Sequence, residues 1–134
     1  MLNNGERIDV SPERGREPAS GRFQIDDATG AVVIRPKMSR VDIEVAGQFR
    51  AALLQLVEQG HRRLVVDMSE VSFIDSSGLG ALVSALKALK TQERNGDIRL
   101  ASVQQPVVAL LEIIRLQRVF SSYPSVDQAV GSFS

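Results

Sequence analysis

The reading of this chain turns on Leu64 to Lys90, LVVDMSEVSFIDSSGLGALVSALKALK. Leu64, Val65 and Val66 form an uninterrupted apolar run rich in β-branched residues, closed by Asp67. Such a run marks a strand covered on both faces. Phe73 and Ile74 follow, then Asp75-Ser76-Ser77-Gly78-Leu79-Gly80. From there Leu79, Leu82, Val83, Leu86 and Leu89 recur at three- and four-residue spacing, which lays one apolar stripe along a helix. The spacing predicts a helix from about Ser77 to about Glu93, stopping before Asn95-Gly96. Two hydroxyls thus stand where a helix begins, beside a carboxylate and two glycines.

Upstream, Phe23 and Ile25 alternate with polar residues, Asp26 to Gly30 carries turn chemistry, and Ala31 to Arg35 resumes an apolar run. This is the pattern of a β-hairpin, whose second strand Pro36 should end or place at an edge. Arg40 to Asp42 precedes a helical pattern in which Phe49, Leu53, Leu56 and Val57 share one face and Gly60 provides the stop. Downstream, Ile98, Leu100 and Ala101 read as a strand. Pro106 suits the first turn of a third helix, with Val107, Leu110, Leu111, Ile113 and Ile114 as its apolar face. Val119-Phe120 reads as a last short strand, and Pro124 to Val130 as a final short helix. Strands alternating with helices favour an α/β fold, a small mixed sheet with parallel pairs and helices packed against it.

Composition narrows the function. At 134 residues the chain is most simply one folded domain. Residues 1–21, punctuated by Gly5, Pro12, Gly15 and Pro18 and of mixed charge, read as a disordered tail or a docking arm; residues 22–131 hold the domain. Sixteen basic residues balance sixteen acidic ones with no basic–aromatic cluster, which disfavours nucleic-acid binding. The chain has no cysteine and a single histidine, His61, so neither a thiolate metal site nor a two-histidine zinc motif can form. Neither a signal peptide nor an apolar stretch near the roughly 20 residues of a membrane span is visible. A soluble cytoplasmic protein without a cofactor is the expectation.

Three physical facts meet at Asp75 to Gly80. Ser76 and Ser77 are residue types that cap helix N-termini. A helix start tolerates an anion such as phosphate. Gly78 and Gly80 cost helix stability, which is offset if side-chain-free positions let a partner's backbone approach. One serine taking a phosphate would add about −1.5 to −2 charges at neutral pH, and a partner fitted to the neutral hydroxyl would then be repelled. The plainer reading is a cap followed by local packing; the two readings combine if one serine caps and the other is exposed, and residue chemistry leaves open which.

The run LVVDMSEVSFIDSSGLGALVSALKAL resembles the STAS domain, and within it the bacterial anti-sigma-factor antagonists. Support comes from the strand pair before the first helix, the Asn95-Gly96 turn and LLEIIRLQRVF before the last helix. The resemblance implies that Ser76, the first serine after the Asp, is phosphorylated. It implies an anti-sigma factor as the kinase, a serine kinase of histidine-kinase-like ATPase fold carrying its own ATP. It also implies a metal-dependent serine phosphatase that resets the switch. Asp75, Ser77, Gly78, Leu79 and Gly80 would border the docking surface, with Asp42 on its rim. The family often has Gly-x-Leu-Asp where this chain has Ser39-Arg40-Val41-Asp42, and the segment before the domain is longer than usual. The alternative implied is a constitutive STAS subunit of a transport or signalling complex.

Other candidates are weaker. Asp67 ends a strand, where ligands often bind in α/β folds, or else it bonds the Ser69 or Ser72 loop. His61 reads as a solvated loop residue, Lys87, Lys90, Arg115 and Arg118 as solvated faces or else as part of a kinase interface, and Met38 has no visible role. An enzyme is disfavoured. No Gly-x-Ser-x-Gly elbow or Lys-Ser/Thr phosphate loop is present, and one histidine is the only candidate base.

Overall fold

In the computed structural model, which describes residues 21–92 and 95–133, the run Leu64 to Val66 lies in the middle strand of a sheet. Strands β1 (Phe23–Ala28) and β2 (Ala31–Pro36) form the expected hairpin, in register from Phe23 opposite Pro36 to Ala28 opposite Ala31. Gly30 sits at φ +88°, the left-handed conformation a tight reversal needs. Pro36 ends β2 without making it an edge, because β4 (Arg63–Asp67) pairs with β2 on its other side. Before β4 come the two-residue strand β3 (Arg40–Val41) and helix α1 (Ile43–Glu58). After it come β5 (Phe73–Ile74) and helix α2 (Ser76–Gln92). Strand β6 (Asp97–Ala101), helix α3 (Gln105–Ile113), a 3-10 turn (Leu116–Arg118), strand β7 (Ser122–Tyr123) and helix α4 (Val126–Gly131) complete the chain.

The main sheet has the order β1-β2-β4-β6-β7, with every pair after the hairpin parallel. One face carries the larger core. Val32, Ile34, Leu64, Val66, Ile98 and Leu100 meet Phe49, Leu53 and Leu56 of α1 and Leu82, Ala85 and Leu89 of α2. The rings of Phe23 and Phe49 stack there with centroids 5.6 Å apart. The other face is covered by α4, through Val33, Val65, Ala101 and Ala129. Arg99 clasps the end of α4. Its Nη1 donates to the Ser132 carbonyl at 2.7 Å and the Ser132 hydroxyl at 2.8 Å, and its guanidinium lies 4.0 Å from the Phe133 ring centre.

Helix α1 ends as Gly60 suggested. Gly60 is at φ +95°, its N–H reaches the Val57 carbonyl at 3.0 Å, and the His61 N–H reaches Leu56 at 3.1 Å. This is the paired bonding of a glycine-terminated helix.

Two expectations are corrected. The last strand is Ser122–Tyr123, not Val119-Phe120. The Val119 and Phe120 N–H groups both donate to the Leu116 carbonyl at 2.9 Å, so neither is available to a ladder, and Phe120 is buried as a core anchor. The apolar face of α3 is also shorter than its sequence suggests. Val107 and Leu111 are buried, but Ile113 is 76% exposed and Ile114 43%. The helix stops at Ile113, and Arg115 takes a left-handed conformation at φ 65° that breaks the helical periodicity. The tail expected over residues 1–21 falls, but for Gly21, outside the described residues, as does Glu93 at the expected end of α2.

Candidate functional site

The site is built where two short strands deliver two helix starts to one place. β3 and β5 pair in parallel, Arg40 opposite Phe73 and Val41 opposite Ile74. One residue later each chain enters a helix. Asp42 caps α1, its Oδ1 accepting from the Glu44 N–H at 3.1 Å. Asp75 caps α2, its Oδ1 accepting from the N–H groups of Ser77 at 2.9 Å and Gly78 at 3.1 Å. Its carbonyl accepts from Leu79 at 3.0 Å, as a capping residue's does.

The capping expectation is therefore corrected. Neither Ser76 nor Ser77 serves as the cap, because the carboxylate before them already satisfies the orphan N–H groups. Ser76 is the first residue of α2 and is exposed, while Ser77 is half-buried.

The other oxygen of Asp75 does a second job. Oδ2 accepts from the Ile43 N–H, 3.1 Å away, at the first residue of α1. That N–H would otherwise be one of the four unpartnered donors of a helix start. A single side chain thus holds both helix N-termini together.

Gly78 and Leu79 turn inward. A Cβ on Gly78 would sit 2.5 Å from the Val41 carbonyl oxygen and 2.6 Å from Ile74 Cγ1, so this glycine lets α2 lie against β3. Leu79 is a core residue. Gly80 is different: it is exposed, with nothing within 4 Å of the Cβ position. Of the two glycines, only Gly80 offers bare backbone to a partner.

Residues 22–129 match the STAS domain family. The chain belongs to that family. It is 32% identical over 79 residues to the anti-sigma-B factor antagonist of Bacillus subtilis, covering 59% of this chain and 70% of that one. Among solved structures it superposes on an anti-sigma-factor antagonist (STAS) domain protein from Planctomyces limnophilus with a TM-score of 0.76 at 20% identity, covering 84% and 97% of the two chains. The phosphorylated form of the Bacillus cell fate determinant SpoIIAA gives a TM-score of 0.63 at 21% identity, covering 84% and 99%. A sulfate transporter family protein from Wolinella succinogenes gives 0.65 at 16% identity, covering 81% and 88%. These likenesses to solved structures establish the fold, which serves proteins of more than one kind.

Around Ser76 the STAS domain exposes residues that the sequence reading did not single out. Ile43 is 74% exposed although it is a large aliphatic residue at a helix start. Phe73 is 39% exposed, and the Arg40 guanidinium lies 4.0 Å from its ring centre. Arg40 Nε also stands 3.5 Å from Asp42 Oδ2. The signal for these three is long-range. The pairing of Arg40 with Phe73, 33 residues apart, and the bond from Ile43 to Asp75 bring them together.

Asp67 is not part of this surface. It is buried, accepting from Arg35 Nε at 2.8 Å and from the Ser69 N–H at 3.0 Å. The loop bond to Ser69 was one of its two sequence readings. The hydrogen bond to Asp67, then that carboxylate's charge, raises the Arg35 guanidinium above its ordinary value. A raised cation stabilises at every pH below its ordinary value, so this contribution is intact at neutrality and fades only in strong alkali. Lys87, Lys90, Arg115 and Arg118 are exposed and His61 is half-buried. Among the described residues no three His, Cys, Asp or Glu side chains form a group that could hold a metal ion. No helix among them is long and apolar enough to cross a membrane.

Proposed function

We propose that this STAS protein is a partner-switching anti-sigma-factor antagonist, working in the cytoplasm, in which Ser76 is the phosphate acceptor. One observation carries the reading. Ser76 stands exposed at the first residue of α2 while Asp75 does the capping, so its hydroxyl has no structural duty to lose. The protein is a substrate and a binding surface, not a catalyst. The anti-sigma factor, a serine kinase of histidine-kinase-like fold, supplies ATP. The Ser76 oxygen attacks the γ-phosphorus, the bond to the β–γ bridging oxygen breaks, ADP departs, and the hydroxyl proton passes to a base on the kinase. A metal-dependent serine phosphatase returns the hydroxyl by hydrolysis.

The energetics suffice for a switch. A phosphate brings about −1.5 to −2 charges to a surface already bearing Asp42, Glu44 and Asp75. A loss of about 3 kcal/mol in binding is roughly a hundredfold in affinity. The unmodified surface, with Ile43, Phe73 and bare Gly80, binds the kinase and frees the sigma factor, and the phosphorylated one lets go. Incubation with the cognate kinase and ATP, followed by phosphopeptide mapping, should place one phosphate on Ser76. A phosphate mapped to another residue removes the assignment.

A second reading is a constitutive STAS subunit of a transport or signalling complex, favoured by the likeness to the sulfate transporter family protein. It requires recovery of permease or ATPase components in a pull-down and indifference to change at Ser76.

A further inference from the structure

We propose that Arg40 is the internal counter-ion of a phosphate on Ser76. Its guanidinium leaves the Phe73 ring and the Asp42 carboxylate to pair with the phosphate oxygens. This rests on the reading of Ser76 as the acceptor.

Of the two resting contacts of Arg40, the one to the Phe73 ring is close, at 4.0 Å, and the one to a carboxylate is loose. Its Nε lies 3.5 Å from Asp42 Oδ2, and its side chain is 59% exposed. Charge-assisted hydrogen bonds run nearer 2.7–2.9 Å, and exposed pairs contribute little. Asp42 is already engaged through Oδ1 with the start of α1. The guanidinium therefore rests against a ring and one half-committed carboxylate.

Its strand runs beside the one that leads into Ser76. Arg40 lies opposite Phe73, which stands three residues before Ser76. The guanidinium reaches along β3 to Asp42. The next residue, Ile43, is tied through its N–H to Asp75 Oδ2, and Ser76 follows Asp75.

The local charge gives the phosphate a reason to draw it. The charged side chains on the segments meeting here are Arg40 on β3, Asp42 at the β3–α1 junction, Glu44 in the first turn of α1, and Asp75 before α2. β5 and the first turn of α2 contribute none. A phosphate at Ser76 enters a surface with three carboxylates and this cation, and it offers the guanidinium fork a bidentate partner that neither the ring nor Asp42 provides. The movement uncovers Phe73. The two states then differ in a ring and a cation as well as in the phosphate.

The test installs phosphoserine at position 76 of the full chain during translation, without any kinase, and follows its phosphorus resonance against pH. The carboxylates raise the second phosphate ionisation and the guanidinium lowers it. Arg40→Gln should raise it by about half a pH unit or more relative to the unsubstituted protein, with Arg40→Lys between. Equal titrations overturn the proposal. A second measurement needs no substitution: the Phe73 ring and Arg40 Nε–H resonances should shift together when position 76 carries phosphate, and unchanged resonances overturn it as well. A kinase that ignores Ser76 would sink the proposed function but leave this titration to be judged on its own.

Discussion

The Asp75 carboxylate holds the Ile43 N–H at 3.1 Å while its other oxygen caps the helix that follows it. The starts of α1 and α2 are therefore fixed relative to each other by one side chain. The two oxygens can be separated by substitution. Asp75→Ala loses the cap, at about 1 kcal/mol, and the tether, at about 1 kcal/mol more. Asp75→Asn keeps an acceptor for the cap but presents an NH₂ to Ile43. Thermal melts should rank the unsubstituted protein above Asp75→Asn and that above Asp75→Ala, and the Ile43 amide resonance should move in both variants. An unmoved Ile43 amide would show the tether to be absent in solution.

The two glycines of the turn should respond oppositely to alanine. At Gly78 the new methyl meets the Val41 backbone carbonyl, which cannot swing aside, and the Ile74 side chain. Overpacking of this kind costs roughly 1–3 kcal/mol. At Gly80 there is open space, and alanine in a helix interior gains up to about 1 kcal/mol over glycine. Denaturant midpoints should fall for Gly78→Ala and hold or rise for Gly80→Ala. Kinase affinity should fall for Gly80→Ala despite its stability, because the bare backbone is covered.

Charge at position 76 should control binding. Ser76→Ala should keep kinase affinity near that of the unsubstituted protein. Ser76→Asp, with about half the charge of a phosphate, should weaken it by roughly tenfold, or about 1.4 kcal/mol. Calorimetry giving one affinity for both variants would refute the charge mechanism.

Ile43 offers a cleaner separation of binding from folding. Its side chain is 74% exposed, so Ile43→Asp should change stability by no more than about 0.5 kcal/mol, as exposed substitutions usually do. If the surface beside Ser76 docks the kinase, the same substitution should lower affinity tenfold or more. An affinity indifferent to Ile43→Asp would move the docking face elsewhere.

Much of the fold was legible because its signals are local. The run Leu64 to Val66, the helical stripe from Leu79 to Leu89 and the Gly60 stop each depend on neighbours within a few residues. The Asp-Ser-Ser turn also placed Ser76 at a helix start. Which side chain caps was not legible, since aspartate and serine are comparable caps and the choice depends on where the helix begins. Val119-Phe120 looked like a strand because a β-branched and an aromatic residue suit one equally well when a 3-10 turn claims their N–H groups. Ile113 and Ile114 continue a periodicity that Arg115 interrupts. Arg40, Ile43 and Phe73 were invisible as a group because pairing across 33 residues leaves no local trace.

The clasp of Arg99 on Ser132 and Phe133 has a practical consequence. A dye or spin label placed beside Phe133 is anchored through that arginine to a strand inside the sheet. It should tumble at the rate of the whole body and report rotation or complex formation faithfully. Replacing Arg99 with alanine should set the probe spinning on its own.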